Sequence, residues 1–331
     1  MKVNKRPKIV VIGGGTGTYT VLQGLKYYPV DLSVIVSMTD SGGSNRVIRD
    51  EFGLLPTSDL RQCMVALASE DSDEILRNLF TYRYSQGIGI QGMTFGNLFM
   101  AALTDIYGSQ EKAIKKTCEM LRVRGNIIPV TYDNSHLVAR YENGTQVLGE
   151  HAIDEPKEEY GNLRIVELEI FPKARANPEA KKAIEEADLI ILGPGDLYTS
   201  IICNLVVNGI ATCVAESKAK KIYVVNLMSK FGQTQGFGAK QHFAELEKYL
   251  GKNSVDFCLV DKHKKYPKNI LDRYKEENAY PVKDDFGKNE KVVRVNISSD
   301  EVHERHKSDK LVRSLIRHDS KKLAKAIVQL L

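Results

Sequence analysis

Two nearly unbroken apolar runs, 8–12 (KIVVI) and 32–37 (LSVIVS), each lead into a glycine-rich turn and then a helical pattern. Runs without polar alternation predict strands covered on both faces, as in a parallel α/β sheet. Residues 189–192 and 222–225 repeat the strand–turn–helix theme, and 257–260 supply a further strand. Between these halves, 60–68, 74–82, 97–107 and 111–122 have helical spacing, with Thr94 placed to cap the third helix. A β segment follows at 127–132, 136–141, 146–148 and 164–170, with Glu142-Asn143-Gly144 as a hairpin turn. Residues 262–291 carry many charges with Pro267, Pro281 and Gly287 and read as surface loop; 292–297 reads as a late strand. Residues 308–331 read as helical, interrupted near His318-Asp319-Ser320. These elements predict one α/β domain over 1–331: a three-layer, doubly wound, mainly parallel sheet with an inserted β segment at about 127–170. A polar C-terminal subregion at about 262–331 ends in helix.

Composition narrows the class. The chain has 331 residues, 42% hydrophobic and 27% charged, which excludes a collagen, a long coiled coil and a wholly disordered chain. Lys+Arg minus Asp+Glu is 47 − 42 = +5, too mild to argue for nucleic acid. The densest basic stretch, Lys262-His263-Lys264-Lys265, reads as a solvated face. Cys63, Cys118, Cys203, Cys213 and Cys258 are odd in number, without a CxxC, and read as reduced thiols of a cytoplasmic protein. The N-terminal apolar run meets glycines after Ile12, so it reads as a buried strand rather than a signal peptide, and the stretch 201–215 is too short to span a bilayer.

Four polar turns hold the candidate chemistry. At the carboxyl ends of a doubly wound sheet such turns line the ligand crevice. Gly13-Gly14-Gly15-Thr16-Gly17 follows the first strand; small residues let backbone N–H groups approach a phosphate at a helix N-terminus. It matches neither G-x-G-x-x-G nor a Walker A loop, since Thr18 and Thr20 stand where glycine is needed and the first lysine after the turn is Lys26. A nicotinamide-dependent oxidoreductase is therefore a weak reading, and a tight β–α turn is the structural alternative. Thr39-Asp40-Ser41-Gly42-Gly43-Ser44 offers an acid for a ribose hydroxyl or a metal, or an Asx turn. Downstream, Asp59 is placed to cap a helix or serve as a second acid. Gly92 to Asn97 opens a helix and could bring the Asn97 amide to a ligand. Gly193-Pro194-Gly195-Asp196 with Thr199 and Ser200 makes a second anion cradle, in which Asp196 is awkward, and the strand 222–225 ends at Asn226. No G-x-S-x-G, HExxH or H-x-E…C-x-x-C set occurs, and His303 and His306 read as helix surface.

Read in order, Gly13–Gly17, Asp40–Ser44, LPTSDLRQCMVAL (55–67), TFGNLFMAAL (94–103), GPGDLYTSII (193–202) and NLMSKFGQTQGF (226–237) resemble the gluconeogenesis factor family (YvcK type), kin to the 2-phospho-L-lactate transferases of CofD type. The stretch Arg124 to Thr131 and the ending Ile316-Arg317-His318-Asp319 extend the likeness over nearly the whole chain. The resemblance implies a Rossmann-like fold and a bacterial cytoplasmic protein binding UDP-N-acetylglucosamine, with a regulatory role in carbon metabolism, cell shape and cell-wall precursor supply, exerted through protein partners. A homodimer is a further expectation. The transferase relatives imply an alternative, magnesium-dependent transfer of a phosphorylated group, with Asp40 and Asp59 as the catalytic candidates and Asp40 as the metal candidate. Carried over by position, the ligand would meet Gly13, Gly14, Gly15, Thr16, Asp40, Ser41, Asn97, Gly193, Pro194, Gly195, Thr199 and Asn226. The chain differs from the family's pattern at Asn45-Arg46-Val47, Thr57-Ser58, Met93, Asp196, Cys203 and Ser229-Lys230-Phe231.

Overall fold

The computed structural model describes residues 6–69, 74–262, 265–301 and 314–331. Seven strands form one sheet: β1 (Lys8–Gly13), β2 (Asp31–Val36), β3 (Asn126–Pro129), β7 (Leu189–Leu192), β8 (Lys220–Val224), β9 (Phe257–Asp261) and β10 (Val292–Val295). Its order is β10-β9-β8-β7-β1-β2-β3 and every pairing is parallel. The apolar runs explain this directly. Ile9 and Val11 enter the core on one face while Val10 and Ile12 enter the core on the other. A strand with both faces covered needs no polar alternation.

The remaining strands, β4 (His136–Tyr141), β5 (Gln146–Leu148) and β6 (Ile165–Phe171), form an antiparallel sheet of order β5-β4-β6. Here Leu137, Ala139 and Tyr141 are buried and Arg140 is exposed, the alternation of a sheet with one solvated face. The predicted insert is therefore corrected at its start. Residues 126–129 leave it and pair with β2 as the edge of the large sheet, because Ile127 and Ile128 enter opposite cores.

Helices α1 (Gly15–Leu25) and α3 (Ser58–Leu67) cover one face of the large sheet together with the C-terminal helix Ser320–Val328. After α2 (Gly43–Phe52), the predicted helical block is made by α3 with α4 (Glu74–Thr81), α5 (Phe95–Tyr107) and α6 (Gln110–Met120), and Thr94 caps α5 by accepting the Asn97 N–H. The C-terminal helix begins at Ser320, at the predicted interruption, and residues 314–319 before it are not helical. Asp319 is its N-cap, accepting the Lys322 N–H at 2.8 Å. Residues 308–313, His303 and His306 lie outside the described residues, as do His263 and Lys264 of the basic stretch. The segment predicted as surface loop contains the helix Lys268–Glu276, whose Ile270 and Tyr274, one turn apart, pack with Leu227, Met228, Leu315 and Ile316 in a small separate core. Among the described residues, no helix is long and apolar enough to cross a membrane.

Chain direction places the crevice. From β1 the strand order runs through β2 to β3 on one side, and from β7 through β8 and β9 to β10 on the other. The reversal falls between β1 and β7, so the turns leaving these two strands diverge and leave a gap at their carboxyl ends.

Candidate functional site

A cleft of about 1220 Å³ opens at that gap. This exceeds the roughly 300–1,000 Å³ of ordinary small-molecule pockets. Of the residues marked in the sequence, Gly14, Gly15, Thr16, Asp40, Asp59, Pro194, Gly195, Thr199 and Asn226 line it. Gly13, Ser41, Asn97 and Gly193 do not.

The first turn is built around close approaches. A Cβ on Gly14 would lie 2.3 Å from Oδ2 of Asp59, and one on Gly17 would lie 2.1 Å from the Pro194 carbonyl oxygen. Gly15 has φ +65°, in the left-handed region. Asp59 does not cap its own helix α3, whose N-cap is Thr57. It reaches across instead and accepts the Gly15 N–H, so the positive end of α1 already faces a carboxyl group. Burial, and then the charge of Asp40, push Asp59 up to about 7.

Asp40 accepts the Gly42 N–H at 2.8 Å and a bond from the Asn45 amide. Burial raises its pKa against these bonds, and the Asp154 charge adds to the rise. Ser41 turns away from the cleft toward helix α7 (Glu150–Asp154): its N–H donates to Glu150, and its hydroxyl accepts the His151 N–H at 3.0 Å. Through this tie α7, which lies between β5 and β6 of the small sheet, becomes a wall of the cleft, with Glu150 and Asp154 facing in. Burial, then Asp40 and Asp154, raise Glu150 well above the usual carboxylate range.

Asn97 is a correction. It is wholly buried and organises the scaffold behind the site. Its Oδ1 accepts from Arg61 Nε at 3.2 Å, and its Nδ2 donates among Ser44 Oγ at 3.0 Å, Ser58 Oγ at 3.1 Å and Asn45 Oδ1 at 3.3 Å. Asn45 Oδ1 in turn accepts the Thr57 and Ser58 N–H groups. This network joins the start of α2, α3 and α5. Asn97→Ala would leave these buried groups short of partners and should cost about 3 kcal/mol in chemical denaturation.

The turn after β7 contains the cis Gly193–Pro194 peptide and leads into the π-helical turn Leu197–Ile202. The Gly195 N–H donates to Asn226 Oδ1 at 3.3 Å, so Asn226 shapes this turn as well as lining the cleft. Asp196 does not cap the helix by its side chain. It pairs with Lys230 Nζ at 2.7 Å, and the same ammonium donates to Asp154 at 2.5 Å. Asp154 also accepts from Thr199 Oγ1 and Gln233 Nε2, each at 3.0 Å. Burial opposes the ionisation of Asp154, but Lys230 with these donors outweighs it and holds the group below the usual carboxylate range. Burial and the Asp154 charge push Asp196 up, against the pull of Lys230.

Several lining residues carried no sequence signal of their own. Glu150 and Asp154 lie in the insert, Lys230 was marked only as a difference from the family's pattern, and the far wall comes from Tyr274, Ile316, Arg317 and His318. The Tyr274 hydroxyl accepts the Leu315 and Ile316 N–H groups at 2.7 and 3.0 Å and so fixes that wall. The ending Ile316-Arg317-His318-Asp319, conspicuous as a motif, was the one available pointer to it. The cysteines are all free, four of them buried, and burial raises the Cys63 thiol well above its ordinary value. A nucleophilic cysteine would need the opposite shift.

For a magnesium ion, the donor set is two carboxylates that line the cleft, Asp40 and Asp59, and the Asp40 charge adds to the rise of Asp59. Among the described residues no group of three or more His, Cys, Asp or Glu is arranged to hold a metal. Such a pair suits magnesium bound through one or two carboxylates plus ligand phosphates, not a closed protein cage.

Comparison with known proteins agrees with this architecture. Residues 9–302 match the family described as 2-phospho-L-lactate transferase CofD. The chain is 41% identical over 321 residues to the putative gluconeogenesis factor of Thermotoga maritima, covering 97% of this chain and 98% of that one. It is 36% identical over 330 residues to the gluconeogenesis factor of Bacillus subtilis, covering 99% of each. A crystal structure of a Bacillus halodurans protein superposes with a TM-score of 0.88 at 32% identity, covering 98% of this chain and all of that one. The chain belongs to the CofD-type 2-phospho-L-lactate transferase family, among the members named gluconeogenesis factors.

Proposed function

We propose that this protein is a cytoplasmic regulator that binds UDP-N-acetylglucosamine in the cleft and relays cell-wall precursor supply to protein partners that set carbon metabolism and cell shape. One observation carries the binding reading: two glycine turns meet at the switch point of the sheet, with the Gly17 backbone against the Pro194 carbonyl, and open onto a cleft of about 1220 Å³. Small residues lining the cleft at Gly14–Thr16 and Gly195, beside the N-terminus of α1, suit the approach of phosphate oxygens to backbone N–H groups. The diphosphate lies along Gly14–Thr16 and Pro194–Gly195, and the sugar reaches toward Asp40 and α7. The functioning unit in this reading is a homodimer.

The family match and these two carboxylates favour a second reading, transfer of a phosphorylated group. Asp40 and Asp59 would hold magnesium, which when bound neutralises charge on phosphate oxygens. The protein's part would be orientation: Asp40 fixed by Gly42 and Asn45, Asp59 by Gly15. Phosphoryl-type chemistry asks for little more than positioning and charge.

Calorimetric titration separates the two. UDP-N-acetylglucosamine should bind saturably, with UDP-glucose, GDP and NAD weaker by at least tenfold, and Gly14→Asp should abolish binding. Binding of GDP alone, and only with magnesium, would overturn the regulator in favour of the transferase.

A further inference from the structure

We infer that Lys230 is a ligand-binding and specificity residue of this cleft, supplying the positive charge that the turn Gly193-Pro194-Gly195-Asp196 needs to receive a diphosphate. The inference deepens the nucleotide-sugar reading and rests on it.

An acid in a phosphate cradle is an electrostatic contradiction: Asp196 places a carboxylate one residue from Gly195. The structure resolves it from 34 positions downstream, with Lys230 Nζ 2.7 Å from Asp196 Oδ2. Asp196 lies in the turn after β7 and Lys230 in the segment after β8, and the fold brings the two into one contact. The lysine does not depend on Asp196 for its place. Asp154 holds it at 2.5 Å from the other side, and Thr199 and Gln233 hold Asp154. An ammonium has three N–H donors, and these two carboxylates engage two of them. Lys230 lines the cleft with its side chain 29% exposed, as do Asp154 and Asp196, so its charge faces the space that Gly14–Thr16 and Gly195 border. Asp154 is thus the anchor and Asp196 the exchangeable partner. An arriving phosphate takes the third donor and competes with Asp196 for the second. A lysine suits this role because it acts as a compact point charge on a flexible stem.

The test is calorimetry on the full chain with UDP-N-acetylglucosamine and, separately, inorganic pyrophosphate. Lys230→Gln should weaken both at least thirtyfold, since it removes the cation and leaves Asp196 unneutralised. Asp196→Ser should tighten both severalfold by releasing the lysine to the ligand. The double variant should recover about tenfold over Lys230→Gln, and Lys230→Arg should bind better than Lys230→Gln. A merely structural lysine would move the unfolding temperature without this pattern. Lys230→Gln binding within threefold of wild type, or a double variant no better than it, overturns the inference. Where Lys230→Gln does not fold, Asp196→Ser decides: unchanged or weaker binding overturns it. Wild-type protein silent toward both probes sinks the nucleotide-sugar reading and this inference together. Wild-type binding unaffected by Lys230→Gln sinks this inference alone.

Discussion

Asp59→Asn should stabilise the protein at pH 8 and change it little at pH 4. Asp59 sits at about 7 in the fold, raised by burial and by Asp40, against about 3.9 for an unfolded aspartate. Between these values the folded state binds the proton more tightly than the unfolded one, so folding stability falls as pH rises. This contribution is fully present below about pH 4 and is lost once pH passes about 7. The amide removes the titration but keeps an oxygen for the Gly15 N–H. The expected gain at pH 8 is about 2 kcal/mol, discounted from the roughly 4 kcal/mol that a three-unit shift would give, because the titration is shared with Asp40. Thermal unfolding of wild type and variant from pH 4 to pH 8 checks it: the two curves should converge at the acid end and separate through neutrality. Parallel curves would mean that Asp59 is ionised throughout.

The second large effect is steric. Gly17→Ala puts a methyl 2.1 Å from the Pro194 oxygen and 2.6 Å from its carbonyl carbon. Both are backbone, so no side chain can swing aside; α1 and the turn after β7 must part. Overpacking of this kind costs about 3 kcal/mol, and here it also spreads the two phosphate turns. Gly24→Ala is the matched control. Its methyl would lie 2.0 Å from the Ser320 oxygen and 2.7 Å from the Ala324 side chain, where α1 packs on the C-terminal helix. Both variants should unfold at lower denaturant concentration by similar amounts. Only Gly17→Ala should lose nucleotide-sugar binding when assayed cold, under conditions where both remain folded. Equal loss in both would mean that binding follows global stability, not the geometry of the turns.

Local sequence pattern was enough for the class of fold and for the turns where chemistry concentrates. Strands β1, β2 and β7 were legible because a two-faced core demands apolar residues at every position, and that demand is local. The cap of α5 at Thr94 and the hairpin at Asn143-Gly144 were legible for the same reason: each is settled within a few residues. Residues 126–129 show the limit of local reading. Their apolar run was seen, but whether it paired with its neighbours in the chain or with β2 depended on how the sheet grows from β1.

Tertiary structure alone decided the site's electrostatics. Asn97 and Asp59 stand in conspicuous motifs, yet burial turned one into scaffold and swung the other away from its helix to the N-terminus of α1. Asp154, Asp196 and Lys230 were three unrelated positions until the small sheet laid α7 against the turn after β7. Charge pairing at 2.5–2.7 Å between residues 34 and 76 positions apart is set by where the backbone returns in space, and no periodicity or cap records that. Local patterns write the elements; the path between them writes which charges meet.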